Sequence, residues 1–183
     1  MKRSIRRIRS DAARGFWRGR QSLGLGRIAK RGTGQGRARL VLAPGNLYAT
    51  LLLRPKLPLT VAMQLSLLAG VAAHDAITSL AAGGGMQVDP HLKWPNDVLI
   101  GGAKLGGILL ESGKAPGEEW PAVVIGIGLN LAHAPEGLGR AVTSLAAAGV
   151  SATPSQAFAA LAWTMAEWIA RLARRRRFRD HPR

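Results

Sequence analysis

Five consecutive residues with the sequence KWPND, Lys93 to Asp97, combine a cation, a rigid corner and two oxygen-bearing side chains. Pro95 has no backbone N–H and interrupts a strand, and together with Trp94 it stiffens the chain beside the lysine. An ammonium group held in this way is a good clamp for a carboxylate or a phosphate. Asn96 and Asp97 offer oxygens that suit Mg²⁺ or that could orient the lysine. Each residue alone would be ordinary turn chemistry, but the combination predicts a site that handles an anion.

The residues that follow predict a β-hairpin that would position this site. Two apolar runs, DVLI from residue 97 and AKLGGILLES from residue 103, flank Gly101 and Gly102. Two adjacent glycines suit the positive φ angles of a tight two-residue turn. A short strand over residues 91–94 precedes the hairpin, so KWPND is predicted to lie where two strands meet.

Two longer strands and two helices are predicted around the hairpin. The strands lie within residues 45–55 and 121–132, where apolar residues dominate. A nearly all-apolar run over residues 58–82 predicts a central buried helix that the following glycines end. Residues 153–172 predict an amphipathic helix, because their opening Thr-Pro-Ser-Gln has the spacing of a capping box. This order of elements predicts an α+β fold with a mainly antiparallel sheet flanked by helices.

Gly126 and Gly128 alternate along the last predicted strand and leave one of its faces without side chains. Two interpretations fit this pattern. A ligand could lie flat against the bare face, or a helix could pack closely on it. The spacing alone does not separate them.

The net charge of +16 is concentrated at the two ends of the chain. Residues 1–40 carry a net charge of +12 and residues 171–183 carry +6, whereas the residues between them carry −2. We therefore predict a basic, partly disordered arm over 1–40, a core over 41–173 and a basic tail over 174–183. Basic arms bind phosphate backbones non-specifically. The first arm has only two aromatic residues to stack on bases, so specific nucleic-acid binding is not expected.

The absence of cysteine excludes disulfide bonds and thiolate metal sites and predicts a cytoplasmic protein. Residues 57–73 carry no charge and approach the length of a membrane span. The polar residues among them, and Asp75 two positions after them, favour a buried core helix instead. A membrane partner is therefore not expected.

Three segments in order resemble the biotin–protein ligases, the family of biotin–[acetyl-CoA-carboxylase] ligases. They are PGNLYATLLLRP from residue 44, KWPNDVLIGGAKLGGILLES from residue 93 and VVIGIGLNL from residue 123. The resemblance covers roughly residues 43–170 and implies a catalytic core like those of class II aminoacyl-tRNA synthetases and lipoate ligases. A lipoate- or octanoate-handling relative is disfavoured, because KWPND is followed by KLGGIL.

The resemblance implies a reaction in two steps. Biotin and ATP give biotinoyl-5′-AMP and pyrophosphate, and a lysine of the biotin carboxyl carrier protein of acetyl-CoA carboxylase then accepts the biotinoyl group. Lys93 is expected to contact the biotin carboxylate and the phosphate, with Arg27 as its partner. Asp97 and Asn130 are expected to serve Mg²⁺ and phosphate. The other residues expected to bind biotin and ATP are Gln21, Ser22, Gly24, Gly26, Trp94, Asn96, Gly106, Gly107, Gly126 and Gly128.

The basic arm departs from the family pattern. The family's biotin- and phosphate-binding loop has the form GRGRRGRxW, and residues 20–27, RQSLGLGR, match it with Leu25 in place of an arginine. In an alternative alignment, residues 32–39, GTGQGRAR, form the loop with Gln35 in the arginine position. A third interpretation is a flexible basic arm without this loop.

Other parts of the family pattern are also without a counterpart. The Ser-Thr-Asn element that precedes the loop in the family is missing, and the family's C-terminal SH3-like domain is not expected here. An alternative function is therefore an inactive or truncated member of the family that serves only as a scaffold or a homodimer.

Overall fold

The computed structural model describes residues 23–24, 43–114 and 116–180, and the side chains over 43–114 and 116–174. Within these residues six antiparallel strands form one sheet in the order β1-β2-β6-β5-β4-β3. The strands are β1 (Leu23–Gly24), β2 (Leu47–Leu53), β3 (Pro90–Lys93), β4 (Asp97–Ile100), β5 (Ala103–Gly113) and β6 (Ala122–Leu129). This arrangement confirms the predicted α+β class with an antiparallel sheet.

Three helices within the described residues accompany the sheet: α1 (Leu59–Ala62), α2 (Leu65–Gly83) and α3 (Pro154–Asp180). The predicted helix over 58–82 is thus present but is interrupted at Met63 and Gln64. The capping box of α3 is confirmed, since the Thr153 N–H donates to Gln156 Oε1 over 2.9 Å and the Gln156 N–H donates to Thr153 Oγ1 over 3.3 Å. This helix reaches Asp180, so it continues through the arginine run that was predicted as a tail.

Residues 59–83 form the one helical stretch in the described part of the chain that is long and apolar enough to cross a membrane. The core helix of a soluble protein meets the same criteria, so length and composition are only weak evidence for a membrane span. In this fold Ala69, Ala72 and Ile77 are fully buried. The Thr164 hydroxyl of α3 donates to the Ala72 carbonyl oxygen over 2.8 Å, which joins the two long helices. These contacts agree with the predicted buried core helix.

The sheet has two different faces because side chains alternate along each strand. One face carries the core and packs on the long helices, with Leu47, Leu53, Val123, Ile125 and Leu129 almost completely buried. We call the opposite side of the sheet the far face. By strand register, it carries Lys93, Asp97, Gly107, Leu109, Gly126, Gly128, Tyr48 and Thr50. Of the two interpretations of Gly126 and Gly128, close packing of a helix on their face is therefore wrong for the described helices, because these helices pack on the other face.

The β4–β5 hairpin turns through Gly101 and Gly102, whose φ angles are +56° and +79°. Residues with a side chain rarely adopt these left-handed backbone angles, whereas glycine adopts them readily, so the two glycines allow the turn. The predicted two-residue turn is confirmed. It aligns β4 and β5 and so brings the two halves of the KWPND-to-KLGGIL stretch together.

Candidate functional site

A single row of paired residues crosses the far face at right angles to the strands. In order across β3, β4, β5, β6 and β2, the row consists of Lys93, Asp97, Gly107, Gly128 and Tyr48. Directly paired residues in antiparallel strands project to the same side of the sheet. The row therefore has charged groups at one end, an aromatic ring at the other and two glycines between them. At the glycines, a flat ligand can approach the backbone without meeting a side chain.

The KWPND turn lies at the charged end of this row. β3 ends at Lys93 and β4 begins at Asp97, so the predicted interruption of the strand at Pro95 is confirmed. The peptide bond between Trp94 and Pro95 is cis, and Trp94 is 81% exposed. The Asn96 carbonyl oxygen accepts a hydrogen bond from the Ile108 N–H over 2.8 Å, which ties the turn to β5. Lys93 is exposed, and it makes no ion pair with any residue that the structure describes.

Asp97 lies between two cations that sequence reasoning did not assign to the site. The Lys104 ammonium donates a hydrogen bond to Asp97 Oδ1, and Arg140 Nη1 lies 3.9 Å from Asp97 Oδ2. The side chains of Lys104 and Asp97 are only 21% and 26% exposed. The sequence contains a signal for Lys104, because it is the only charged residue in the apolar run from 103 to 110. Arg140 has no such signal, because it belongs to the irregular segment after β6.

The two predicted glycines of β5 have different roles. A Cβ atom at Gly106 would lie 2.3 Å from the Gly128 carbonyl oxygen and 2.7 Å from Leu129 Cδ2, so this position packs against β6. A Cβ atom at Gly107 would lie 3.4 Å from Lys104 Nζ, on the far face. Gly107 is therefore the glycine that belongs to the row, whereas Gly106 allows β5 and β6 to approach each other.

Asn130, directly after β6, is held by the neighbouring segment. Its N–H donates to the Leu105 carbonyl oxygen over 2.9 Å, and its Nδ2 donates to the Thr143 carbonyl oxygen over 3.0 Å. No hydrogen bond from a described residue to its Oδ1 is present, so this oxygen is the atom of Asn130 that remains for a ligand.

Sequence reasoning missed Asn46, which holds the segment that directly follows Asn130. Its buried Oδ1 accepts hydrogen bonds from the N–H groups of Leu131, Ala132 and His133 over 3.0, 3.1 and 3.1 Å. Its Nδ2 donates to the His133 carbonyl oxygen over 2.8 Å. The sequence places Asn46 at the start of a predicted strand, and nothing in that pattern indicates that its side chain is buried and needs such partners.

The aromatic end of the row is also fixed. Tyr48 Cδ1 lies 3.8 Å from the position of a Cβ atom at Gly128, and the Tyr48 hydroxyl accepts a hydrogen bond from the Ala43 N–H over 3.0 Å. A second row lies one step along the strands, in which Gly126 pairs with Leu109 and Thr50. Thr50 in turn pairs with Gly24 of β1.

The other predicted residues of the basic arm, Gln21, Ser22, Gly26 and Arg27, lie outside the described residues. The alternative loop over 32–39 also lies outside them. Leu23 and Gly24 are the two residues of the predicted loop whose register in the sheet is described, and Gly24 is the one of them that was expected to bind the ligand.

The charges at this site favour an anion over a metal ion. Lys104 and Arg140 face a single carboxylate, and Lys93 is the strand-register partner of the same residue, so the group carries excess positive charge, which attracts phosphate or carboxylate. The described residues contain no group of three or more His, Asp or Glu side chains that could hold a metal ion. Both oxygens of Asp97 already face cations, and this environment does not suit the predicted binding of Mg²⁺ by Asp97.

Comparison with known proteins gives one consistent family. The sequence model of the biotin/lipoate A/B protein ligase family matches residues 6–130, which include most of the basic arm. A protein from Paracoccus denitrificans named biotin–[acetyl-CoA-carboxylase] ligase is 40% identical over 148 residues. That match covers 77% of this chain and 60% of the relative, so the chain spans less than two thirds of the relative's length.

Two solved structures resemble the fold described above. The biotin protein ligase from Leishmania major, in complex with biotinyl-5-AMP, is 27% identical with a TM-score of 0.63 and matches 92% of this chain and 70% of that one. The ligase from Aquifex aeolicus, in complex with biotin and ATP, is 27% identical with a TM-score of 0.55 and matches 68% of this chain and 50% of that one. The predicted architecture, like that of class II aminoacyl-tRNA synthetases, is thereby confirmed.

Proposed function

Because the chain belongs to the biotin/lipoate A/B protein ligase family, we propose that it acts as a biotin–protein ligase. In the first step a carboxylate oxygen of biotin attacks the α-phosphorus of ATP, an O–P bond forms, and pyrophosphate leaves. In the second step the amine of an acceptor lysine attacks the acyl carbon of biotinoyl-5′-AMP. A C–N bond forms, AMP leaves, and the lysine nitrogen loses a proton.

The glycine-centred row on the far face is the observation that carries this proposal. An acyl-adenylate needs a smooth surface under its flat parts and cations around its carboxylate and phosphate. Gly107 and Gly128 provide bare backbone, and Lys93 provides an ammonium group at the end of the row. In the first step both reactants are anions, so a cation at Lys93 would reduce their repulsion and stabilise the charge that develops at phosphorus.

The substrates and the acceptor are proposed by analogy with relatives. Solved relatives bind biotinyl-5-AMP in one case and biotin with ATP in another, which supports biotin and ATP as the substrates of this chain. The Paracoccus relative is named for acetyl-CoA carboxylase, which supports the biotin carboxyl carrier protein of that enzyme as the acceptor.

Mg²⁺ is proposed to enter with ATP rather than to occupy a site made by the protein alone. Mg²⁺ commonly keeps several waters and is bound through substrate phosphates together with one or two protein oxygens. Asn130 Oδ1 is one described atom that could supply such an oxygen, since no described residue donates a hydrogen bond to it. Asp97 fits this role poorly, because Lys104 and Arg140 face its carboxylate.

A cytoplasmic location and a homodimer also remain proposals. The lack of cysteine supports a reducing compartment. A homodimer would be tested by analytical ultracentrifugation over a range of protein concentrations, with and without biotin and ATP.

The proposed activity can be tested without an acceptor protein. Purified protein with Mg²⁺ and ATP should exchange labelled pyrophosphate into ATP only when biotin is present, because exchange reports the reversible first step. Transfer to a purified carrier domain would then test the second step. A folded protein that shows no biotin-dependent exchange would contradict the proposal and favour the scaffold alternative.

A further inference from the structure

We propose that an exposed apolar surface beside the KWPND turn docks the acceptor protein during the second step. The surface consists of Leu59, Met63, Leu67, Leu92 and Trp94, and we call it the edge patch. The proposal rests on the proposed function, because it assigns the surface that would hold the protein substrate of the ligase. The partner is a carrier domain that presents apolar and carboxylate side chains around its acceptor lysine.

The first part of the edge patch is a row of side chains on α1 and α2. Leu59, Met63 and Leu67 follow one another at intervals of four residues, which places helical side chains on one face. The Met63 N–H donates to the Leu59 carbonyl oxygen over 3.0 Å, so the helical spacing continues past the end of α1. The three residues are 52%, 47% and 55% exposed, so each keeps a large apolar surface in solvent.

The second part of the edge patch lies on β3 and continues this row. Gly70 is one helical turn after Leu67, and a Cβ atom at Gly70 would lie 3.4 Å from Leu92 Cδ1. Because α2 continues well beyond Gly70 and ends at Gly83, the chain must run back along the helix to bring Leu92 there. β3 is therefore antiparallel to α2, and Trp94 lies in the direction of Leu67.

The edge patch adjoins the place where the second step must occur. Trp94 directly follows Lys93, which is the first residue of the glycine-centred row. An acceptor lysine brings a whole protein domain with it, so that domain must rest on surface next to the row. Five of the nine large apolar residues that are exposed in the described part of the chain belong to the edge patch, so exposed apolar surface is concentrated there. Such concentrations mark interaction sites.

The charges around the edge patch favour a partner that carries carboxylates. Residues 55–74 contain Lys56 and His74 but no Asp or Glu, and Lys93 lies at the other end of the patch. Opposite charges speed encounter and fix the orientation of two proteins. The chain's own arm over residues 1–40, with a net charge of +12, matches this rim poorly, and so does a second copy of a chain with a net charge of +16. An external acidic protein is the better match.

A membrane surface is another partner for an apolar patch with a basic rim, and the sheet edge argues against it. β3 is the outermost strand of the described sheet, so one side of its backbone has no strand partner in that part of the chain. Backbone groups at such an edge can bond to another polypeptide but not to acyl chains. Because the edge patch lies along this strand, a protein fits it better than a lipid surface does.

The experiment compares the two steps of the reaction in Leu67→Glu and Met63→Glu. Each variant places a negative charge in the edge patch, so we expect the KM for a purified biotin carboxyl carrier domain to rise by about tenfold or more. Biotin-dependent pyrophosphate exchange needs no acceptor and should be unchanged. A glutamate in the first turn of α2 is favourable to the helix, so Leu67→Glu should fold.

Two further variants control for the sign of the charge and for the location of the change. Leu67→Lys keeps the edge patch basic and should raise the KM for the carrier domain less than Leu67→Glu does. Trp163 is 63% exposed on α3, outside the edge patch, and Trp163→Glu should leave both steps unchanged. The same KM for the carrier domain in Leu67→Glu, Met63→Glu and the unchanged protein would overturn the proposal. An equal rise in Trp163→Glu would also overturn it.

Direct binding separates failure of this proposal from failure of the proposed function. Absence of exchange in the unchanged protein would contradict the ligase activity, whereas calorimetric titration with the carrier domain would still test docking. No binding, or equal affinity in the unchanged protein and in Leu67→Glu, would overturn the docking site. Binding to phosphatidylglycerol vesicles, or self-association, that Leu67→Glu abolishes without changing carrier affinity would overturn it in favour of a lipid surface or a second copy.

Discussion

Gly107 and Gly128 are register partners on β5 and β6, at the centre of the far face. Lys93 and Asp97 lie on one side of this pair and Tyr48 lies on the other. A glycine pair in the middle of a sheet weakens the strands, because it contributes no side chain to packing. The benefit of the pair lies in the access that it gives a ligand to the backbone.

Gly128→Ala should leave the fold intact and impair ligand binding. A Cβ atom there meets Tyr48 Cδ1 at 3.8 Å, which is an ordinary contact, so the free energy of unfolding should change by less than about 1 kcal/mol. The methyl group would nevertheless project from the far face, where the ligand is proposed to lie against bare backbone. We expect the KM for biotin in pyrophosphate exchange to rise by about tenfold or more, as expected for overpacking of a fitted surface.

Gly106→Ala is the matched comparison, and we expect it to destabilise the fold. Its Cβ atom would lie 2.3 Å from the Gly128 carbonyl oxygen, a backbone atom that cannot move aside alone. Chemical denaturation should show a loss of about 3 kcal/mol, near the upper end for overpacking. Equal stability of the two variants would contradict the assignment of these glycines to opposite faces.

Lys93→Ala should abolish adenylate formation without unfolding the protein. Lys93 is exposed and makes no ion pair with the described residues, so the free energy of unfolding should change by less than about 0.5 kcal/mol. Loss of a cation that stabilises developing charge costs about a hundredfold to a thousandfold in rate. Pyrophosphate exchange by the variant measures this loss.

An exposed lysine away from the row provides the control for Lys93. Lys56 lies in the connection between β2 and α1, and Lys56→Ala should retain full exchange. Full activity of Lys93→Ala would show that the site assignment is wrong. Equal losses in both variants would indicate a general effect of charge rather than a specific contact.

Asn46→Ala should destabilise the end of the sheet that holds Asn130. The substitution leaves three N–H groups and one carbonyl oxygen without their partner. Unsatisfied buried groups cost about 1–3 kcal/mol each, and water can reach some of them, so we expect a loss of about 3 kcal/mol. Thermal or chemical denaturation measures it.

Asn46→Asp separates the accepting role of Asn46 from its donating role. The carboxylate can still accept from the three N–H groups but cannot donate to the His133 carbonyl oxygen. Its destabilisation should therefore be smaller than that of the alanine variant. If the aspartate variant were the less stable of the two, the accepted hydrogen bonds would not be the main contribution of Asn46.

The local features of the site could be predicted from sequence because they depend on neighbouring residues. The Gly101–Gly102 turn, the break at Pro95 and the capping box of α3 each follow from residues a few positions apart. The resemblance then identified Lys93 and the glycines of β6 as candidate ligand-binding residues.

The remaining features depend on how distant strands pair, and periodicity does not contain that information. The separate faces of Gly106 and Gly107 depend on the register of β5 against β6. The approach of Lys104 to Asp97 depends on an irregularity between Val98 and Leu99 in the β4–β5 pairing. Arg140 reaches the site from an irregular segment, and its position follows from backbone hydrogen bonds to Lys104.

The contact of Asn46 with the segment after β6 also bears on how the chain is made. Its hydrogen bonds join residues that are 85 to 87 positions apart, and β2 pairs with β6 over a similar separation. During synthesis, β2 emerges from the ribosome long before its neighbour, whereas the β4–β5 hairpin can close at once. We therefore expect the hairpin to form early and the edge of β2 that pairs with β6 to remain unprotected until residue 133 is available. In a cell, that interval is when the nascent chain is most exposed to aggregation and to capture by chaperones.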